Sequence, residues 1–240
     1  MRSVKGILVA ITAAGAMLLG GMAHGQGYPA RTVTLVVPYA PGGGHDTMAR
    51  IVAEKLGARL GQTVLVENKP GAGGMIGTEH VVRSPADGYT LLFSSPAEIV
   101  IAPSVYRTMR YDPAKDLTPI TQVGDTPLVL MAHPGQGVKT LAELVAKAKK
   151  EPGKLSYATA GSASSQHLAG AWINSLAGID LAHIPYKGAG PATNDLLGGQ
   201  VPFAILGMAP VIKHIQSGRI VALAVMTPQR IEWARDIPTV

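Results

Sequence analysis

The sequence predicts an α/β protein in which short β-strands alternate with helices. Two observations support this prediction. Runs of β-branched and aliphatic residues recur along the chain, and most are followed by a stretch in which apolar residues repeat at helical spacing. The strand-like runs also end in loops that are rich in glycine, serine and proline. Strands separated by helices of this length are typical of right-handed βαβ units, so we expect largely parallel sheets.

The first group of predicted elements lies between residues 33 and 93. The apolar run Val33–Val37 predicts a buried strand, and the following helix carries apolar residues at helical spacing until Gly61 ends it. Two further strands are predicted at 64–67 and 90–93, with a helix between them that follows the glycine-rich sequence NKPGAGG. Elements in this order are typical of βαβ units.

The second group begins with the predicted strand Leu128–Ala132. A helix is predicted at 140–150, where Thr140 and Glu143 have the spacing of a capping box. The further predicted elements are strands at 155–159, 180–184, 201–206 and 220–226, and a short helix between 210 and 218. The segment from 227 to 240 carries no predicted element. In open α/β sheets ligands bind at the carboxyl ends of the strands, so two facing sheets would form a cleft lined by loops from both.

Composition places the chain among globular proteins and narrows the chemistry available to it. The 240 residues are 47% hydrophobic and 15% charged, proportions that are typical of folded domains. The chain has no cysteine, which excludes disulfides, metal thiolates and thiol nucleophiles. The net charge of +6 fits an anionic ligand, but the basic residues are scattered, so we do not expect nucleic-acid binding.

The first 25 residues have the pattern of a secretory signal peptide. Arg2 and Lys5 provide a basic start, residues 7–19 are mainly apolar, and 23–25 resemble a cleavage site flanked by small residues. A transmembrane anchor is the alternative, because the uncharged stretch is near the lower limit for spanning a bilayer. We favour a cleaved signal peptide and expect a periplasmic protein.

Three consecutive glycines, Gly42 to Gly44, precede the first predicted helix in the sequence VVPYAPGGGHDTMAR. A dinucleotide fingerprint would need glycine or alanine at position 47, which is Thr47, and the Gly-Lys-Ser/Thr ending of a phosphate loop is absent. The backbone N–H groups at a helix N-terminus bind small anions without a basic side chain. The glycines therefore favour an anion site, although Asp46 also has the position of a helix cap.

A second candidate anion site lies in the sequence AGSASSQHLAG. Gly161 and Ser162 precede another predicted helix, and the nearby hydroxyls add hydrogen-bond donors. Ser164 has an alternative role as a helix cap. The same segment brings serines close to His167, but it lacks the G-x-S-x-G pattern of a nucleophile elbow. His45 and Asp46 form an isolated pair, so no metal-ligand spacing is present.

Six segments together resemble the Bug-type periplasmic solute-binding proteins, the extracytoplasmic receptors of tripartite tricarboxylate transporters. They follow the family's order from residue 28 onwards: YPARTVTLVVPYAPGGGHDTMAR, GQTVLVENKPGAGGMIG, DGYTLLFSS, YDPAKDLTPIT, HIPYKGAGPATNDLLGGQV and GRIVALAV. The ordered set is far more specific than any one of its members.

The resemblance implies a two-domain α/β fold of the type II periplasmic-binding-protein class, the Venus flytrap. After the predicted signal peptide at 1–25, we expect a first lobe at 26–125 and 223–240 and a second lobe at 126–222. The family's chains continue past the sequence DIPTV with further helices. We therefore expect the C-terminal part of the first lobe to be missing from this chain.

The resemblance also implies a carboxylate ligand in the interdomain cleft, held by main-chain and hydroxyl donors. In the first lobe the matching residues are Tyr39, Gly43, Gly44, His45, Asp46, Gly71, Ala72, Gly73, Ser94 and Ser95. In the second lobe they are Thr159, Gly161, Ser162, Ser164, His167, Tyr186, Lys187 and Gly188. His45 stands where the family usually has a small or hydroxyl residue.

The main hypothesis is an exported receptor that captures a small organic carboxylate and delivers it to integral-membrane permease subunits. The ligand class stays open among dicarboxylates, tricarboxylates, acidic amino acids and aromatic acids. We expect no enzyme activity, no cofactor and no metal. Two alternatives remain: an exported hydrolase that uses Ser162 or Ser164 with His167, and a sensor subunit that reports ligand to a membrane kinase.

Overall fold

The computed structural model of the chain describes residues 27–240. The predicted signal peptide at 1–25 therefore lies outside the described residues. Within the described part of the chain, no helix combines the length and the apolar character needed to cross a membrane.

A three-stranded parallel sheet forms the first part of the molecule. Its strands are β1 (Val33–Val37), β2 (Val64–Asn68) and β3 (Thr90–Leu92), in the order β2-β1-β3. Both neighbours pair parallel with β1. The sequence VTLVV of β1 is almost entirely buried, as expected for a central parallel strand that is covered on both faces. The predicted parallel arrangement is confirmed for this sheet.

Helix α1 (Gly44–Leu60) connects β1 to β2 and ends where predicted. Gly61 follows it in the left-handed conformation, with φ of 66°, which a residue without a Cβ adopts at little cost. The face of α1 towards the sheet carries the small residues Ala49 and Ala53, whereas Ile51 is half exposed. Small residues at the contact allow the helix backbone to lie close to the sheet.

The connection from β2 to β3 and the segment after β3 contain short helices. A 3₁₀ turn at Ala72–Gly74 leads into α2 (Met75–Val82). After β3, a π-helical turn at Ala97–Ile101 continues directly into α3 (Ala102–Val105), and α4 (Pro113–Asp116) follows. The three elements after β3 have no counterpart in the sequence prediction, because single turns are too short to show helical periodicity.

A five-stranded mixed sheet forms the second part of the molecule. Its strands are β4 (Leu128–Ala132), β5 (Ser156–Thr159), β6 (Ala182–Pro185), β7 (Phe203–Gly207) and β8 (Val221–Val225), in the order β6-β5-β7-β4-β8. Strand β5 pairs parallel with β6 and β7, but β4 pairs antiparallel with β7 and β8. A buried apolar run does not encode strand direction, since both ladders satisfy the same backbone groups.

Four helices cover the five-stranded sheet. They are α5 (Leu141–Lys150), α6 (Ser165–Ala177), α7 (Ala189–Leu197) and α8 (Ile212–Gln216). The predicted capping box before α5 is confirmed, because the Thr140 hydroxyl accepts from the Glu143 amide and the Glu143 carboxylate accepts from the Thr140 amide. Alternate strand residues bury two cores on opposite faces of the sheet. Met131 and Leu206 belong to one core and Leu130 and Ile205 to the other.

The end of the described chain packs against the five-stranded sheet. The sequence analysis assigned residues 223–240 to the first lobe, but β8 pairs with β4, and Thr239 forms a parallel bridge with Val225. Ile237 is buried in the same core as Met131. The apolar strand β8 meets its partner in the second sheet, so this segment is placed with the second group of elements.

Candidate functional site

A cavity of about 1070 Å³ lies where loops of the two groups of elements meet. From the first group it is lined by the loop after β1, by residues after β3 and by the 117–127 segment. From the second group it is lined by residues at the starts of α6 and α7 and at the ends of β7 and β8. The predicted site residues that line it are Tyr39, Gly43, Gly44, His45, Asp46, Ser94 and Ser95.

Asp46 holds the loop between β1 and α1 in shape. Its carboxylate accepts hydrogen bonds from the Gly42 amide (3.0 Å), from the Asn68 side-chain amide (3.0 Å) and from two nitrogens of Arg50 (2.9 and 3.1 Å). Burial by itself would raise the pKa of Asp46, but these hydrogen bonds outweigh it and lower that pKa below its usual value. The N-cap of α1 is Gly43, so Asp46 lies at the third helical position. Both carboxylate oxygens of Asp46 therefore already accept hydrogen bonds from neighbouring residues.

The same loop contacts the start of α7 on the second group. The Ala40 amide donates to the Lys187 carbonyl at 2.8 Å. A Cβ placed on Gly43 would lie 3.3 Å from the Ala189 Cβ, and one on Gly190 would clash with the Pro41 carbonyl oxygen. These glycines let the two loops approach each other closely.

The predicted loops around Gly71 and Gly161 meet each other, and the predicted residues in them do not line the cavity, although their neighbour Ala160 does. Gly73 has φ of 65°, and a Cβ there would lie 2.5 Å from the Ser162 carbonyl oxygen. A Cβ on Gly161 would lie 3.4 Å from the Gly73 Cα. Ala72 also has a positive φ, of 48°. Gly73, Gly161 and Ser162 thus form a close backbone contact between the two groups of elements, and Gly71 and Ala72 directly precede it in the chain.

The PYKG turn likewise contacts the first loop and does not line the cavity. Gly188 has φ of 147°, and a Cβ there would lie 2.8 Å from the Ala40 nitrogen. The Tyr186 hydroxyl donates to Asp195 on α7, and the Lys187 side chain is exposed. The part of this turn that faces the first group is its backbone.

Tyr39 and Ser95 share a buried carboxyl group, that of Glu98. The Tyr39 hydroxyl lies 2.7 Å and the Ser95 hydroxyl 2.8 Å from Glu98 Oε2, both at hydrogen-bond distance. The Ser95 amide donates to Glu98 Oε1 at 2.6 Å. Glu98 has no exposed surface, and burial raises its pKa. Glu98 was not among the predicted site residues, although a glutamate within the apolar sequence AEIVI is a usable signal.

The two aromatic side chains of the loop after β1, Tyr39 and His45, are uncharged. The His45 ring stacks on the Tyr39 ring with centroids 4.8 Å apart. Burial lowers the pKa of His45 and raises that of Tyr39, so both side chains are neutral at neutral pH. His45 therefore brings an apolar ring face to the site.

The serine and histidine cluster of the second group is tied to its own helix. Ser164 is the N-cap of α6, since its hydroxyl accepts from the His167 amide at 3.1 Å and donates to the Gly161 carbonyl at 2.7 Å. The His167 ring stacks on His183 with centroids 3.9 Å apart, and Thr159 Oγ1 lies 2.7 Å from His183 Nε2. Among the hydrogen bonds of residues 27–240, none joins a serine hydroxyl to the His167 ring.

Three helix N-termini border the cavity. Gly43 and Gly44 belong to the start of α1, Ser165 and Gln166 to that of α6, and Ala189 to that of α7. The first N–H groups of each helix lack an acceptor within the helix, and the helix dipole adds partial positive charge there. The sequence analysis named glycine and serine neighbours of these termini but missed Gln166 and Ala189.

The chain matches the model of the tripartite tricarboxylate transporter family receptor over residues 48–240. It is 42% identical to Protein BugT of Bordetella pertussis, in an alignment that covers 88% of this chain and 65% of that protein. The chain thus spans about two thirds of the length of this relative.

Two solved structures are similar in fold and have ligands named with them. Rpa4515 of R. palustris with adipate has a TM-score of 0.83 and 33% identity, with 89% of this chain and 71% of that chain covered. MatC of Rhodopseudomonas palustris with bound malate has a TM-score of 0.83 and 31% identity, with 88% and 72% covered. These likenesses confirm the predicted periplasmic-binding-protein fold.

Proposed function

We propose, since the chain belongs to the tripartite tricarboxylate transporter receptor family, that it is a periplasmic receptor for a small organic dicarboxylate. Malate and adipate, which are named with the two similar structures, are both dicarboxylates. The proposed site is the cavity between the two groups of elements. Export by a cleaved signal peptide and delivery to membrane permease subunits belong to the same proposal.

The convergence of three helix N-termini on one cavity carries this proposal. Helix ends attract anions through backbone N–H groups and the dipole, and they need no basic side chain to do so. The helices α1, α6 and α7 come from both groups of elements, so two carboxylates of one ligand would have donors on both sides. A dicarboxylate fits such an arrangement better than a monocarboxylate.

The side chains around the cavity are compatible with an anion. Asp46 is paired with Arg50, and His45 is neutral. Ser94 and Ser165 line the cavity beside the helix termini, and each carries a hydroxyl group. We therefore assign ligand contact to the backbone of residues 43–45 and to Ser94, Ser165 and Gln166.

The predicted residues that lie outside the cavity lining are given a different role. Gly73 and Gly161 on one side, and Gly188 on the other, form the backbone contacts between the two groups of elements. We propose that these contacts hold the cleft closed around a ligand. The hydrolase alternative has less support, because the Ser164 hydroxyl is engaged as a helix cap.

A thermal-unfolding screen tests the proposal. L-malate and adipate are titrated against the protein, with 1,6-hexanediol as an uncharged control of similar length. A ligand at 100 times its Kd adds about 2.7 kcal/mol to the free energy of unfolding, so a clear rise in Tm is expected for at least one dicarboxylate. Chromatography then checks that the ligand is recovered unchanged. An unchanged Tm with all dicarboxylates, or turnover of the ligand, would contradict the proposal.

A further inference from the structure

Glu98 lies in the π-helical turn after β3 and is fully buried behind the wall of the cavity. Its neighbours Tyr39 and Ser95 both line the cavity. Within residues 27–240, no lysine, arginine or histidine is paired with its carboxyl group. A buried ionised carboxylate without a positive partner is strongly unfavourable.

The hydrogen atoms around Glu98 Oε2 indicate its protonation state. Three oxygens form a triangle: Tyr39 Oη to Glu98 Oε2 is 2.7 Å, Ser95 Oγ to Glu98 Oε2 is 2.8 Å, and Tyr39 Oη to Ser95 Oγ is 2.7 Å. Each contact has the length of a hydrogen bond and needs one proton. The two hydroxyls supply two protons, so an ionised Glu98 would leave one short contact between lone pairs. A protonated Oε2 supplies the third and closes a ring: it donates to one hydroxyl, that hydroxyl donates to the other, and the other donates back to Oε2.

The groups that face Glu98 from other elements provide no compensating positive charge. The Tyr111 hydroxyl donates to the Glu98 main-chain carbonyl at 2.7 Å, and burial raises the pKa of Tyr111 to about 12. Behind Tyr39 lies the neutral ring of His45. At the end of α2, Arg83 is paired with Glu79 and not with Glu98.

The remaining side of Glu98 is closed by backbone. Gly74 has φ of 98°, and a Cβ there would lie 3.0 Å from Glu98 Oε2. Both the backbone conformation and the limited space favour glycine at this position. The carboxyl group is therefore enclosed by hydroxyls, amides and main chain. Burial raises its pKa, and the hydrogen bonds from Ser95 and Tyr39 offset that rise only in part.

We propose that Glu98 is a protonated, uncharged acid at neutral pH and is a positioning residue for the hydroxyls of Tyr39 and Ser95. In this form it fixes both hydroxyls at the cavity wall without placing a negative charge beside the cavity. The value of that neutrality for ligand affinity rests on the function proposed above, because an ionised Glu98 would repel a carboxylate. If ligand binding raises the pKa of Glu98 by one unit, the affinity falls tenfold as the pH rises from below the pKa of the free protein to above that of the complex.

Infrared spectroscopy of the unliganded protein tests the assignment directly. At neutral pH in D₂O, wild type is expected to show the carbonyl stretch of a protonated carboxylic acid, and Glu98→Gln is expected to lack it. The matched control is Glu79→Gln, which removes a partly buried, ion-paired glutamate and leaves the band in place. Absence of the band from wild type at neutral pH, or its persistence in Glu98→Gln, would overturn the assignment.

A second measurement uses the conservative variant. The glutamine amide can donate to Tyr39 and Ser95 and its oxygen can accept from the Ser95 amide, so Glu98→Gln is expected to fold and to retain the near-ultraviolet signal of Tyr39. Glu98→Ala is expected to lose it. Loss in both variants would show that the negative charge is needed and would overturn the proposal. The spectrum needs no ligand, so failure of malate to bind would contradict the proposed function alone.

Discussion

The Ala40 amide donates a hydrogen bond of 2.8 Å to the Lys187 carbonyl and so joins the first group of elements to the second. Directly beside this bond, Gly188 has no room for a Cβ, which would lie 2.8 Å from the Ala40 nitrogen. A second backbone contact lies between Gly73 and Ser162. Backbone atoms therefore determine how closely the two groups approach, and the first two predictions concern this distance.

Gly43→Val is expected to weaken malate binding by tenfold or more while the chain still folds. A Cβ at position 43 already lies 3.3 Å from the Ala189 Cβ, so the two further methyl groups of valine would separate the loops. Gly27→Val is the control, since a Cβ there meets nothing within 4 Å and Gly27 does not line the cavity. Calorimetric titration measures the affinity and circular dichroism checks the fold. Equal affinities in wild type and Gly43→Val would refute this role for Gly43.

Gly73→Ala is expected to open the contact between the two groups, because its Cβ would lie 2.5 Å from the Ser162 carbonyl oxygen. Gly61→Ala is a close control: its φ of 66° matches the 65° of Gly73, but a Cβ there meets nothing within 4 Å. Both variants pay about 1–2 kcal/mol for the left-handed backbone. Solution scattering should show a larger radius of gyration for Gly73→Ala alone. If both variants scatter alike, the contact does not hold the cleft closed.

Asp46→Asn is expected to lower the free energy of unfolding by about 1.5–3 kcal/mol at neutral pH, the usual range for hydrogen bonds to a charged group. The folded-state pKa of Asp46 is lowered. Its stabilising effect is therefore present above the unfolded pKa near 4 and is lost as the pH falls through the folded pKa. Urea unfolding between pH 2 and 7 measures this effect.

Asp112→Asn is the matched control for Asp46→Asn, because Asp112 is paired with Lys115 on an exposed surface. Such surface pairs contribute little. Equal losses of stability in the two variants would show that the loop contacts of Asp46 are not special.

Ionisation of Glu98 is expected to lower the free energy of unfolding as the pH rises. Its folded-state pKa is raised, so its contribution is favourable below the unfolded pKa near 4.3 and is lost as the pH rises to the folded pKa. Between the unfolded-state and folded-state pKa values of Glu98, the free energy of unfolding falls by up to about 1.4 kcal/mol per pH unit, which corresponds to one proton. Glu98→Gln should remove this slope in urea unfolding. An unchanged slope would mean that Glu98 ionises normally.

The stacked pair of His167 and His183 is expected to destabilise the fold in acid. Burial, together with repulsion from His167, lowers the pKa of His183 to about 4. Its neutral form therefore favours the folded state above the unfolded pKa of about 6.5, and this contribution is lost as the pH falls from there towards 4. His183→Gln should flatten the decline in Tm between pH 6.5 and 4. His214, on the short helix α8, provides the control His214→Gln.

The sequence predicted the elements whose signal is local. The capping box of Thr140 and Glu143 and the strand Leu128–Ala132 depend on neighbouring residues, and the structure has them where expected. The direction of β4 and the placement of β8 depend on partners far along the chain. No pattern within a strand reports such partners, so these features differed from the expectation.

The same distinction applies to the candidate site. Glycine-rich loops at strand ends were recognisable, and Gly43 and Gly44 do line the cavity. The meeting of Gly73 with Ser162 joins residues far apart in sequence and leaves no periodic trace. Glu98 was overlooked for a related reason: a charged residue is usually exposed, and its partner Tyr39 lies 59 positions away.

The position of β4 between β7 and β8 has a consequence for how the chain folds during synthesis. Strand β4 is made first among the five strands, yet both of its neighbours in the sheet are made last. Its hydrogen-bonding edges therefore stay unpaired until β7 and β8 have left the ribosome. Such non-local pairing slows folding, and unpaired apolar strands are prone to aggregate. The five-stranded sheet thus cannot be completed until β8, the last of its strands along the chain, is available to pair with β4.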